Sequence, residues 1–200
     1  MPSYRVEAFT SLVREYARER KAFESLRYHV FSRINQYEPE NAEGRERDAY
    51  DKISSYVLLF EDDKLVGGCR VIDGRETEVL PITVRGDITG ALKKPSAEIS
   101  RLCFVTKMES PQLAREVFYK GLYDHFLQQG LRYGYASIQP HLWKDLDTRF
   151  PNVCVRLREV QRKKGKKLRA YFAIEIPVAP WGEYYTRPTI SEYRIQACKA

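Results

Sequence analysis

Cysteine and histidine are few in this sequence, and those present are scattered. Cys69, Cys103, Cys154 and Cys198 fall in no metal-like spacing. That excludes a disulfide framework and implies reduced thiols in a cytoplasmic protein. His29, His125 and His141 show no ligand spacing either, so no metal is expected. No stretch approaches the ~20 consecutive apolar residues of a membrane span. The opening "MPSYRVEAFTSLVREYARERKAF" interleaves charges of both signs with its apolar residues, unlike the continuous apolar core of a signal peptide. No linker rich in Pro, Gly or Ser divides the chain and no internal repeat occurs, so residues 1–200 are expected to form one domain.

What is present is a core-forming composition with a basic excess. The chain is 43% apolar and 12% aromatic, which excludes wholesale disorder, and carries a formal charge of +7. That charge favours an acidic partner: nucleic acid, an anionic membrane surface or an acidic carrier protein. Phe9, Leu12, Val13, Tyr16 and Ala17, then Phe23, Leu26, Val30 and Phe31, recur at helical spacing. They predict two amphipathic helices, or one broken one, over about residues 4–34. The polar "INQYEPENAEGRERDAYDK" is a loop ending in a helical turn. "SSYVLLFEDD" and "KLVGGCRVID" read as a hairpin, and "EVLPITVRGD" as a short strand or irregular connection. "AEISRLCFVTK" is a buried strand. "SPQLAREVFYKGLYDHFLQQG" is a helix with Ser110 near its N-cap, Pro111 in its first turn and Gly130 as its stop. A strand ("LRYGYASIQP"), a short helix ("HLWKDLDTRF") and two strands around the basic turn "QRKKGKK" complete the chain. The order implies an α/β chain of the α+β type, a mixed, mostly antiparallel sheet with helices on both faces.

That order resembles the GNAT acyltransferases, a fold in which two neighbouring parallel strands splay apart and admit a thioester between them. Four short stretches sharpen the resemblance: Arg27 and Phe31 in "RYHVF", Asp48 and Asp51 in "ERDAYD", Arg70 in "GGCRVI", and Glu98 and Arg101 in "EISR". Over residues 27–105 this series is similar to the acyl-homoserine-lactone synthases. Where those enzymes carry tryptophan after the Val-Phe element, the nearest residue here is Tyr37. The polar "DGRETEV" replaces their Pro- and Gly-containing segment. The chain more closely resembles the long-chain N-acyl amino acid synthases of soil bacteria, whose best-known members acylate tyrosine. The resemblance implies an N-acyltransferase with acyl carrier protein as donor and an amino-acid α-amine as acceptor. It brings no resident cofactor, because the phosphopantetheine arm arrives on the carrier. GNAT enzymes that use coenzyme A usually have a Gly-rich turn for the pyrophosphate; "VTKMESPQLA" has no glycine and carries Glu109.

Aminolysis of a thioester needs a proton acceptor and donors for an oxyanion. The resemblance, which sets this position beside the cleft, implies Glu98 as the candidate base; otherwise it is a buried partner of Arg101 or Arg70 that orders the sheet. The backbone of Cys103, Phe104 and Val105 is the candidate oxyanion strand. No His or Asn is placed to activate Cys103, whose thiol is expected to be buried and inert. Arg27, Asp48, Asp51, Arg70 and Arg101 are expected to form a charge network at the cleft, holding the N-terminal helices or binding a zwitterion. Leu102, Phe118, Leu122, Tyr135 and Ile138, with Phe104, either line an acyl slot or are plain core. Trp143 either stacks on an aromatic acceptor or packs. Arg162, Lys163, Lys164, Lys166, Lys167 and Arg169 are the densest positive charge. They form a solvated turn or dock an acidic carrier. The other readings are a homoserine-lactone synthase using S-adenosylmethionine and a basic nucleic-acid-binding module. No nucleic-acid recognition motif supports the second.

Overall fold

The computed structural model describes residues 2–164 and 167–185. Among these described residues, seven strands form a mixed sheet in the order β1-β2-β3-β4-β5-β7-β6, and five α-helices accompany them. The chain divides into two compact units, one built from residues 2–71 and 101–125, the other from residues 72–100 and 126–185.

The first unit opens on a strand. Residues Tyr4–Thr10 (β1) pair antiparallel with Ser54–Glu61 (β2), from Tyr4↔Glu61 to Thr10↔Ser55. This corrects the expectation of helix from residue 4. Tyr4 and Val6 alternate with half-buried Arg5 and Glu7, a period-2 pattern that suits a pleated edge. The spacing of Phe9 and Tyr16 that suggested a helix instead brings their rings into a stack across the turn, centroids 4.4 Å apart. Helix α1 begins only at Ala17 and runs to Tyr28, continuing as a π-helical segment His29–Ile34. The expected hairpin is present as β2 and Lys64–Asp73 (β3). Helix α3, Pro111–Gln128, starts and stops at the expected proline and glycine, with Gly130 at φ +64°. Phe9, Phe23, Tyr56, Leu58, Phe60 and Cys103 make this unit's core. Burying each large apolar side chain is worth roughly 1.5–3 kcal/mol.

In the second unit the segment after β3 forms a short helix α2, Pro81–Val84, rather than a strand. Pro81 at its first turn supplies the helical φ at no hydrogen-bond cost. Strand β4, Ser96–Phe104, pairs in parallel with β5, Tyr133–Ile138, from Ser96↔Tyr133 to Glu98↔Tyr135. β5 then continues to Ile138 against β7, Lys167–Pro177, and β7 pairs with β6, Val155–Lys164. One face of β5 and β7 is apolar (Ala136, Ile138, Ile174, Ile176) and buried. The other is polar, with Tyr135 directly opposite Glu175. Helix α4 is Pro140–Arg149, and α5, Val178–Tyr185, is an element with no sequence expectation behind it. Trp181 of α5 packs its ring on Phe126 and Phe150.

Candidate active site

The stretch "ERDAYD" folds onto itself before it contacts anything else. The Asp48 carboxylate accepts the Tyr50 N–H (2.9 Å) and the Asp51 carboxylate accepts the Asp48 N–H (2.8 Å). This reciprocal capping explains two aspartates three residues apart at the head of the 3₁₀ segment Ala49–Ile53. Their remaining lone pairs face arginines. The fully buried Arg27 guanidinium forks between Asp51 (2.6 and 3.2 Å) and Glu46. Arg70 of β3 donates to Asp48 and to Asp51 (3.1 Å), and the Tyr56 hydroxyl donates to Asp51 (3.1 Å). Arg101 closes the set, with Nε 2.9 Å from Glu46 and a guanidinium nitrogen 3.5 Å from Asp48.

Three guanidinium groups are thus set among Glu46, Asp48 and Asp51, with Glu38 also 3.8 Å from Arg101, so each buried charge of the set has an opposite charge beside it. Burial alone would raise the pKa of Asp51, but the hydrogen bond and charge of Arg27, with Arg70 and the Asp48 N–H, outweigh it and hold the group at about 2. Burial also raises the Tyr56 phenol, and the Asp51 charge adds to the shift, so it stays a hydrogen-bond donor. Two members of the set reach solvent: the Arg101 and Asp48 side chains are 26% and 28% exposed. Arg101 also lies over the Phe31 ring, 5.7 Å from its centroid, and Tyr37 lies 6.3 Å beyond Phe31. Arg101 has φ +57°, a left-handed conformation inside a strand. A non-glycine residue there costs on the order of 1–2 kcal/mol, and such strain persists where contacts over-determine it.

The structure thus joins Arg27, Asp48, Asp51, Arg70 and Arg101 as expected. It adds Glu46, which sequence reasoning passed over although it opens the same stretch. Downstream, the Phe104 ring packs edge-on against Phe118 (5.1 Å), and Phe118 and Leu122 are buried in α3. Gly67 makes room for that ring: a Cβ there would lie 2.2 Å from Phe104 Cδ1. Leu102 is half-buried. Burial pushes the Cys103 thiol up to about 12. One oxyanion expectation needs correction: the Val105 N–H already donates to the Val66 carbonyl (2.8 Å).

Glu98 belongs to the second unit, and its neighbours are not those expected. One carboxylate oxygen accepts the Ile82 N–H of α2 (2.5 Å) and the other accepts from Arg85 (2.7 Å). It is 1% exposed, at the last β4–β5 ladder position, Glu98↔Tyr135. The Tyr135 hydroxyl is engaged too, donating to Glu175 (2.9 Å) and accepting the Lys93 N–H (3.0 Å), while burial raises its pKa to about 12. Tyr135 is therefore a polar clamp on that face. Ile138 is buried, and Trp143 meets Phe172 edge-on at 6.3 Å. A cavity of about 140 Å³ among Gly74, Val79, Leu80, Thr83 and Leu92 is lined by none of the expected acyl-slot residues. In the basic tract, Arg162 donates to the fully buried Asp87, and so is not a free surface charge. Lys163 is exposed, Arg169 is half-buried, and Lys164 pairs with Lys167 in the β6–β7 ladder. Lys166 and Cys198 lie outside the described residues.

Among the described residues, no cluster of His, Cys, Asp or Glu could hold a metal ion, and no helix is long and apolar enough to cross a membrane.

Residues 26–115 match the acetyltransferase (GNAT) domain family. No curated protein matches the sequence significantly. Among solved structures, the CoA-dependent acyl-homoserine lactone synthase BjaI, with SAM and isopentyl-CoA, aligns at TM-score 0.72 and 19% identity, covering 94% of this chain and 92% of that one. The homoserine-lactone synthase LasI aligns at TM-score 0.67 and 18% identity, over 89% and 90%. FeeM, an N-acyl amino acid synthase from uncultured soil microbes, aligns at 0.60 and 17%, over 92% and 96%. The expected resemblance is thus met at the level of architecture, and the chain has the GNAT-type acyltransferase fold.

Proposed function

We propose that residues 1–200 act as one N-acyltransferase domain that moves a long-chain acyl group from acyl carrier protein to the α-amine of an amino acid, with tyrosine as the leading acceptor. The observation that carries this reading is the solvent-facing Asp48–Arg101 pair at the edge of a buried ion-pair network. A carboxylate for an ammonium and a guanidinium for a carboxylate are the groups a zwitterion needs. The Phe31 ring beside Arg101 suits an aromatic acceptor.

The amine nitrogen attacks the thioester carbon, the carbonyl becomes an oxyanion, and its collapse breaks the C–S bond and releases the carrier thiol. Glu98 is the group assigned to take the amine's proton, directly or through a water. It accepts two hydrogen bonds where a carboxylate can accept about four, so lone pairs remain. With Val105 engaged, the backbone donors assigned to the oxyanion are Cys103 and Phe104, each such donor being worth about 10²–10³ in rate. Leu102, Phe118, Leu122 and Ile138 remain the assigned acyl contacts, and Lys163 with Lys164, Lys166, Lys167 and Arg169 the assigned carrier contacts.

The donor assignment draws on the start of α3. The Glu109 N–H donates to Glu61 (3.0 Å) and the Ser110 N–H to the Tyr4 hydroxyl (3.0 Å), which itself donates to Glu61 (2.6 Å). Backbone donors that would cradle a pyrophosphate already hold a carboxylate and a phenol. A pantetheine arm on a carrier has no pyrophosphate to place there.

A second reading, homoserine-lactone synthesis from S-adenosylmethionine, is favoured by the higher TM-scores of BjaI and LasI and would use the same charges. Thiol release from long-chain acyl carrier protein tests both. Release that requires an amino acid supports the first reading, release that requires S-adenosylmethionine supports the second, and acceptor-independent hydrolysis contradicts both.

A further inference from the structure

Outside the charge network, a second set of buried charges is strung along the polar face of the second unit. Asp87 is fully buried, and its carboxylate accepts from the Ser137 hydroxyl (2.8 Å), from Arg162 through Nε (3.1 Å) and a terminal nitrogen, and from Arg85 Nε (3.2 Å). Arg162 reaches this point from β6, its guanidinium lying over the Tyr171 ring (5.0 Å) and donating to Ser137 (3.0 Å). Arg85 uses its other end on Glu98 (2.7 Å). Two buried carboxylates and two guanidiniums thus alternate as Arg162–Asp87–Arg85–Glu98. The backbone of the same segment is pinned as well: the Asp87 N–H donates to the Ile82 carbonyl (3.1 Å), and Arg158 donates to the Gly86 carbonyl (3.3 Å).

The geometry decides how Glu98 can point. Its two oxygens are held by an Ile82 N–H fixed in α2 and by an Arg85 that Asp87 fixes in turn. A guanidinium gripped at both ends has little rotational freedom. We propose that Arg85 is a positioning residue for Glu98 and that Asp87, held by Arg162 and Ser137, is its anchor, so that the chain sets the direction in which the Glu98 carboxylate offers its remaining lone pairs. The inference rests on the base assignment of Glu98. It places in the reaction two residues, Arg85 and Asp87, that lie outside the charge network.

The test measures kcat and the acceptor KM at a temperature where every variant is folded by circular dichroism. Arg85→Gln is expected to lose about 10–100-fold in kcat, the scale of a misplaced catalytic group, with acceptor KM nearly unchanged. Asp87→Asn should lose less, and the double variant no more than Arg85→Gln alone, because the anchor acts only through Arg85. Arg85→Lys, which can reach one carboxylate but not grip both, should fall between and carries the test if Arg85→Gln does not fold. Wild-type kcat in folded Arg85→Gln or Arg85→Lys, or losses that simply add in the double variant, would overturn the proposal. Glu98→Gln separates the two levels. If Glu98→Gln is inactive while Arg85→Gln is fully active, the positioning chain fails and the base assignment stands. Full activity in Glu98→Gln removes both.

Discussion

Replacing Arg27 by methionine should show how much of the fold's stability runs through the charge network. The guanidinium is fully buried and satisfies two carboxylates, Glu46 and Asp51, that are themselves 7% and 9% exposed. Methionine fills similar space without charge, so the loss reports the abandoned partners rather than a cavity. Breaking a buried pair from one side typically costs about 3–5 kcal/mol. Here Glu46 keeps Arg101, and Asp51 keeps Arg70, Tyr56 and the Asp48 N–H, which puts the expectation at the lower end, about 3 kcal/mol. For a chain of this length that corresponds to a melting point lower by about 6–12 °C at neutral pH. The pH dependence adds a second signature. Asp51 is depressed from its ordinary 3.8 to about 2. A depressed carboxylate contributes stability that is present above its unfolded pKa and lost as pH falls through the folded value. With solvent screening its share is about 2 kcal/mol at pH 7, draining away between about pH 4 and 2. Without Arg27 that share shrinks, so the gap between wild type and variant should be widest at neutral pH and narrow toward pH 3. Thermal unfolding followed by circular dichroism at pH 7, 5 and 3.5 measures both. A variant melting within 2 °C of wild type at pH 7 would refute the reasoning.

Two further substitutions probe the strands around the network. At Arg101, glycine accepts φ +57° freely and alanine does not, so Arg101→Gly should be more stable than Arg101→Ala by about 1 kcal/mol in urea unfolding. Both should lose acceptor affinity through the lost guanidinium; equal stabilities would mean the strand relaxes once the arginine is gone. Gly67→Ala should cost about 1–3 kcal/mol, because its Cβ would meet Phe104 Cδ1 at 2.2 Å and the Cys103 carbonyl at 3.1 Å. An unchanged urea midpoint would show that the Phe104 ring can move aside freely.

How far the sequence could be read depended on the range of the interaction. The β2–β3 hairpin and helix α3 declare themselves through neighbours: an acidic turn between apolar runs, and a proline and a glycine bounding a periodic stretch. β1 was misread because its seven residues run into a segment whose aromatics happen to fall at helical spacing, and only pairing with β2 decides the matter. α2 and α5 are too short to show a period. In the site, Arg27, Asp48, Asp51, Arg70 and Arg101 were legible because they stand in short stretches that resemble known synthases. Glu46 was not, although it holds both Arg27 and Arg101. Nothing local separates it from Glu43, which pairs with exposed Arg47 two positions from Arg45. Arg162 shows the same limit in reverse. In sequence it belongs to a basic tract, but Asp87, 75 residues away, takes it out of the surface. A partner so distant leaves no periodicity to find, and Arg85, although its partners Asp87 and Glu98 are near in sequence, stands in a segment too short to show a period.

The most direct test of the central claim is the mass of the product formed when the protein is mixed with long-chain acyl carrier protein, the twenty amino acids and S-adenosylmethionine. The account predicts a new species of fatty acyl plus one amino acid, with tyrosine the leading choice, and its absence in Glu98→Gln. An acyl-homoserine lactone instead would contradict the assigned acceptor, and no acyl transfer from an intact donor by folded protein would contradict the acyltransferase reading itself.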